Sequence, residues 1–235
     1  MRPHALTALV PILTACGAPP PPVKEAAPPP PVEEHAAPSR PTIESEIGAL
    51  DEGKVKVAFK KAAEGMSACF NKGAEQIPYL AGDVSFKLRI KQDGSVRWVF
   101  VKDSNLGDRE TETCMMDVLR KTAWPKPVGG EGLAENSFNF EPGGDERPPV
   151  AWKPEQLGKP WKGAKASLGE CRKKAGTGPF KATLYVDTDG KPKGIGASFA
   201  DEKGETAAGC VVDALKSVTF PSPGSYPSKV SVTIE

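Results

Sequence analysis

The feature that most constrains this chain is its likeness to itself. Displaced by 96 residues, positions 84–127 lie over 180–223 without a gap, and eight of the 44 pairs are identical. Leu88 meets Leu184, Asp93-Gly94 meets Asp189-Gly190, and Cys114, Asp117 and Leu119 meet Cys210, Asp213 and Leu215. Pro125 and Pro127 meet Pro221 and Pro223, with Trp124 over Phe220. The count is small, but a turn glycine, a cysteine and a P-x-P in one register mark structure rather than composition. A displacement of 102 places Phe59, Ala62, Met66 and Cys69 over Trp161, Ala164, Leu168 and Cys171. The six-residue difference between the two displacements falls in the loop around 71–83. A tandem duplication is expected, with a first unit over 43–147 and a second, more divergent unit over 148–235.

Each unit has a legible order of elements. Val55, Phe59, Ala62, Ala63, Met66, Cys69 and Phe70 recur at helical spacing and predict a first helix with one apolar face. Val84, Phe86, Leu88 and Ile90 alternate with polar residues, as in a strand with one buried face. Gln92-Asp93-Gly94 then predicts a hairpin turn, because glycine reaches positive φ without a steric penalty. Val96, Trp98 and Phe100 predict a second strand. Residues 108–122 predict a second helix with Cys114, Val118 and Leu119 inward, stopped by Pro125. Phe138 and Phe140 mark a closing strand. In the second unit Ala182, Leu184 and Val186 precede the Asp189-Gly190 turn. Ala207, Cys210, Val211, Ala214 and Leu215 follow on a helix, and Val230, Val232 and Ile234 close the unit. The expected fold class is α+β: two α-β-β-α-β units, each a three-stranded sheet with both helices on one face.

The first residues place this fold outside the cytoplasm. Met1-Arg2-Pro3-His4 precedes an apolar run from Ala5 to Ala15, too short to span a membrane as a helix. Leu13-Thr14-Ala15-Cys16 resembles the lipobox of bacterial lipoproteins. That resemblance implies a signal peptide over 1–15 and a lipid on Cys16, with Gly17 leaving the outer membrane as the default destination. Residues 16–42 carry Pro19–22 and Pro28–31 as unbroken runs. Such a tether favours polyproline II and reaches roughly 75 Å from the lipid.

With Cys16 set aside, four cysteines remain, one in each predicted helix. An even number in an oxidising compartment implies bridges, against the alternatives of free buried thiols or a redox pair. No C-x-x-C and no flanking histidine favours a redox pair. Four cysteines allow three connectivities, and the duplication selects Cys69–Cys114 and Cys171–Cys210.

These residues together resemble the AgmX/PglI-type C-terminal domain, itself similar to the TonB C-terminal domain. In the first unit the matching pattern is Cys69, Gly82-x-Val84, Asp93-Gly94, Ser104-Asn105-Leu106-Gly107, Cys114 and Trp124-Pro125. The second unit keeps the cysteines, the turn and Phe220-Pro221, but has Ala200-Asp201-Glu202-Lys203 in place of the Ser-Asn-Leu-Gly segment. The resemblance implies a non-enzymatic envelope protein of the periplasm, in some cases part of a gliding-motility or outer-membrane transport machine. It also implies that an extended peptide can be accepted as an added strand, for which Val230, Val232 and Ile234 are a candidate edge, with an interior strand as the equal alternative. TonB couples to a proton-driven motor through a membrane helix. The mature chain reads without one, so a passive binding or scaffold role is expected.

Chemistry is sparse elsewhere. The only histidines are His4 and His35, which removes Ser/His/Asp and Cys/His catalysis from both units and most metal chemistry with it. No cofactor and no metal are expected, and an enzyme working through paired carboxylates is the remote alternative. Asp187-Thr188-Asp189-Gly190 reads as a turn rather than a calcium loop, lacking the distal glutamate. Glu110/Glu112 and Asp201/Glu202 read as favouring helix N-termini. The formal charge of +1 argues against nucleic acid as a partner. Yet 15 basic and 18 acidic residues over 42–147 give −3, whereas 13 and 9 over 148–235 give +4. Lys162, Lys165, Arg172, Lys173 and Lys174 crowd one predicted helix, as a solvated face or a contact for anionic wall polymer. Expected partners are therefore the membrane, through the lipid on Cys16, and envelope proteins or cell-wall polymer.

Overall fold

A computed structural model describes residues 47–235, so Cys16, the signal peptide and the proline-rich tether lie outside the described residues. Within it the class is mixed α and β, with four α-helices and two sheets of three and four strands. Helix α1 spans Glu52–Gln76, strands β1 and β2 span Gly82–Ile90 and Val96–Ser104, α2 spans Arg109–Lys121, and β3 spans Gly132–Phe140. After the two-residue strand β4 (Val150–Ala151) come α3 (Pro160–Ala175), β5 (Phe180–Val186), β6 (Pro192–Phe199), α4 (Ala208–Lys216) and β7 (Ser228–Ile234). The first sheet has the order β2-β1-β3 and the second β4-β7-β5-β6. No helix among the described residues is long and apolar enough to cross a membrane.

Two cores form around the alternating strands. Val84, Phe86, Leu88 and Ile90 of β1 meet Phe59, Ala62 and Met66 of α1 and Met115, Met116 and Leu119 of α2. Ala182, Leu184 and Val186 of β5 meet Ala164 and Leu168 of α3 and Val211 and Leu215 of α4. Register is shared under the 96-residue displacement: Val84 lies opposite Phe138 in the first sheet, and Phe180 opposite Ile234 in the second. A bulge interrupts the hairpin at Arg89/Ile90 and again at Tyr185/Val186. Gly94 and Gly190 both take positive φ in the turns (88° and 83°), with the carbonyl oxygens of Trp124 and Phe220 where a Cβ would sit. Any larger residue there would meet both strain and a backbone atom.

The cysteines pair as Cys69–Cys114 and Cys171–Cys210, with Cα separations of 5.8 and 5.7 Å, within the range a disulfide accepts. Each links the two helices that pack on one sheet.

The structure departs from the sequence pattern in four places. The second sheet has four strands, because β4 from the connecting segment pairs parallel to β7 at Ser228 and Lys229. In β2 the inward residues are Val96, Val99 and Val101, while Trp98 and Phe100 stand opposite Arg89 and Lys87 on the other face. The bulge adds a residue, so simple alternation read from Val96 assigns the wrong face. In α2 the fully inward residues are Met115, Met116 and Leu119, with Cys114 and Val118 only half-buried. α4 is also shorter than the apolar pattern suggested, since a 3-10 helix over Glu202–Ala207 takes its first turn.

Candidate functional site

Strand β3 is one of the two outer strands of the first sheet, β2 being the other. Gly48 donates its amide to Glu131 O at 2.8 Å from the side away from β1. Alternation along a strand then turns the backbone groups of Leu133, Glu135, Ser137 and Asn139 to that same side. Among the described residues no strand pairs with them. Beside this edge runs a groove of about 590 Å³ between β3 and α1. Its floor is apolar, from Val55, Phe59, Ala134 and Phe138, with the Phe59 and Phe138 rings 6.0 Å apart. Glu52, Lys56 and Lys60, one helical turn apart, form the helix rim. Leu50 closes one end, lying where a side chain on Gly132 would go. The opposite rim carries Glu135, whose carboxylate accepts from Lys102 Nζ at 2.6 Å. Unsatisfied main-chain donors and acceptors next to an apolar trough suit an extended polypeptide, not a small metabolite.

A second polar constellation lies where the two sheets meet. β2 packs on β6 and on the 3-10 helix over Glu202–Ala207. Glu112 of α2 has no exposed surface. One of its oxygens accepts from Ser104 Oγ at 2.7 Å, and the other from the amide of Ala197 on β6 at 3.3 Å. Burial pushes its pKa up to about 7, against the opposing pull of Arg109, 3.8 Å away, and of the two hydrogen bonds. Arg109 also pairs with Glu205, and Lys181 with Asp103. Nearby Tyr185 donates its hydroxyl to Ala81 O at 3.0 Å and accepts from Ala81 N at 3.1 Å. Lys229 Nζ donates to the same carbonyl at 2.6 Å, and desolvation lowers its pKa to about 8. Gly107 has φ +80° and lies so close to Thr183 and Tyr185 that a Cβ would reach 2.9 Å from each. Charge and close backbone approach thus join apolar packing, with Tyr185 seated in the first core, in holding this contact.

The reading of Glu112 as an aid to the α2 N-terminus is corrected: Asp108 caps that end, accepting from Thr111 N at 3.0 Å, while Glu112 points into the contact. Asp201 does cap its short helix, accepting from Gly204 N at 3.1 Å. Val230, Val232 and Ile234 bury their side chains in the second core, at 1–3% exposure. Their strand has β5 on one side and β4 along its first two residues on the other, leaving Ser231 and Thr233 to continue the outer edge. Lys162, Lys165, Lys173 and Lys174 are exposed on α3 and Arg172 is half-buried. Asp187-Thr188-Asp189-Gly190 forms a turn closed by Gly190 N donating to Asp187 O at 2.8 Å. Among the described residues no group of three or more metal-ligating side chains converges. The groove beside β3 escaped the sequence reading, whose only available signal was that β3 follows β1 and β2 in an odd-numbered sheet. No protein-family model matches the chain, and no curated protein matches it either.

Proposed function

We propose that this chain is a passive, lipid-tethered binding module of the cell envelope. It is built from two tandem copies of one small α+β unit, and the first copy takes an extended segment of an envelope protein as an added strand along β3. The observation that carries this reading is the unpaired edge from Leu133 to Asn139 beside an apolar trough. An incoming strand gains main-chain hydrogen bonds from the edge and seats alternate side chains over Phe59 and Phe138. The tandem reading is supported by matched local bonds. Gly48 N donates to Glu131 O, and Val150 N to Pro227 O at 2.9 Å, positions that the 102- and 96-residue displacements superimpose. Lys91 N to Ser95 O and Asp187 N to Lys191 O, both 2.8 Å, are a second such pair. The anchor rests on the Leu13-Thr14-Ala15-Cys16 motif and the proline-rich segment that follows it.

The test is a photo-cross-linking side chain placed at Ser137 of the full lipidated chain in its own membranes. The expected product joins Ser137 to one contiguous segment of an envelope protein, and Glu135→Pro, which removes an outward donor from the edge, abolishes it. Cross-linking that persists unchanged in Glu135→Pro, or none at all, overturns the strand-addition reading. Release of a Cys16→Ser variant from membranes checks the tether separately.

A further inference from the structure

The two long helices differ in how their charges are arranged. Along α1, Lys54, Lys56, Lys60, Lys61 and Lys72 are interleaved with Glu52, Glu64 and Glu75. Along α3 the lysines and arginine meet a single carboxylate, Glu170, and that one is held by Lys173 at 2.9 Å. The buried residues of α3 are Ala164, Leu168 and Cys171. At 100° per residue, Lys162 and Lys173 fall on the side opposite this buried face, with Lys165 and Arg172 on one flank. Between these cations the outward positions are Ala166 and Gly169, and nothing lies within 4 Å of where a Cβ on Gly169 would be. Small residues between long cationic ones leave the helix backbone approachable, so a phosphate-sized anion can settle among several ammonium groups at once. No ion pair among the described residues uses Lys162 or Lys165.

We propose that the outer face of α3 is a membrane-facing surface that takes the phosphate headgroups of anionic phospholipids. A tethered chain meets such a surface continually, and clustered basic residues are attracted to it over about a Debye length. The surface lies on different elements from the β3 groove, so this inference stands whether or not a peptide binds there. A wall polymer offers phosphate or carboxylate too; vesicles present the lipid source alone and separate the two.

The experiment uses the full mature chain carrying Cys16→Ser, so that no lipid of its own drives partition, and phosphatidylcholine vesicles with or without phosphatidylglycerol. Co-sedimentation is expected only with phosphatidylglycerol present, and is expected to weaken as salt rises. Lys162→Glu with Lys173→Glu is expected to reduce partition by about tenfold or more, whereas Lys54→Glu with Lys61→Glu on α1 leaves it within about twofold. Both substituted pairs are exposed, and thermal melting checks that each variant folds. Three outcomes overturn the proposal: no partition onto phosphatidylglycerol vesicles, equal losses in the two double variants, or retention on isolated cell wall without retention on vesicles.

Discussion

The first and second sheets share register, bulge and bridge, yet they meet their surroundings differently. The first sheet buries one face against α1 and α2 and leaves Ser85, Lys87 and Arg89 of β1 half-buried on the other. The second sheet buries both: every residue of β5 except Lys181 is buried, with Ala182, Leu184 and Val186 toward α3 and α4 and Tyr185 joined to the other core. Along the outer strands the two are alike: Gly48 meets Glu131 just before β3 as β4 meets the start of β7, and each strand then runs on without an outer partner among the described residues, β3 beside a groove. Local sequence patterns build both sheets; tertiary contact decides which outer face stays accessible.

The largest effect that can break this comparison comes from the disulfides. The bridged cysteines are 45 and 39 residues apart. The chain-entropy model gives each bridge roughly 4 kcal/mol, with a difference between them of only about 0.1 kcal/mol. Urea unfolding of Cys69→Ser/Cys114→Ser and of Cys171→Ser/Cys210→Ser is therefore expected to show similar losses if each half stands on its own core. A smaller loss for the second pair would show that the contact with the first half supplies part of what holds the second together. Full stability in both variants would remove the bridges from the account.

Next in size is Glu112, the buried carboxylate that joins α2 to β6. Its pKa is raised from 4.5 to about 7, so the folded state holds the proton more tightly than the unfolded one. The sign follows directly. The stabilisation from that proton is complete below about pH 4.5, falls as pH rises, and is gone above about 7, a difference on the order of 3 kcal/mol. Urea midpoints across this window are expected to decline with pH in the natural chain and to lose that component in Glu112→Gln. An unchanged slope in Glu112→Gln would assign the pH dependence to other groups and leave the contact insensitive to protons.

Much of the fold was legible because it depends on neighbours in sequence. The Val84–Ile90 alternation, the Asp-Gly turns and the one-cysteine-per-helix pattern are local signals, and the likeness of the sequence to itself turned four cysteines into one pairing. The contact between halves was not legible, since Glu112 and Ala197 are 85 residues apart and Glu110 and Glu112 together in a first helical turn read as an aid to the helix dipole. Glycine alternation in Lys193-Gly194-Ile195-Gly196 was the available signal: a Cβ on Gly194 or Gly196 would lie 2.8–2.9 Å from backbone atoms of Gly107. Strand order was not legible for a related reason. Alternation says which side chains point inward, as it did for Val230, Val232 and Ile234, but strand order decides which backbone faces outward.

The smallest effect tests the outer faces directly, because the 96-residue displacement puts Tyr185 over Arg89. Both occupy the strand face away from the helices. Arg89 pairs with Glu131 at 2.5 Å in a half-exposed setting, while Tyr185 is fully buried and bonded to both the amide and the carbonyl of Ala81. A partly solvated ion pair contributes about 0–1 kcal/mol, whereas removing a fully buried hydroxyl that bonds a half-buried amide and carbonyl costs about 1–2 kcal/mol. Tyr185→Phe keeps the ring against Tyr79, 5.6 Å away, and deletes only the hydroxyl. It is expected to lower stability by about 1–2 kcal/mol, and Arg89→Met by less than about 1 kcal/mol, in paired thermal and urea unfolding. The ordering carries the meaning: the same strand position faces another core in one half and solvent in the other. Were Arg89→Met the costlier change, the outer face of the first sheet would be the more tightly held of the two and the contrast between the sheets would be reversed.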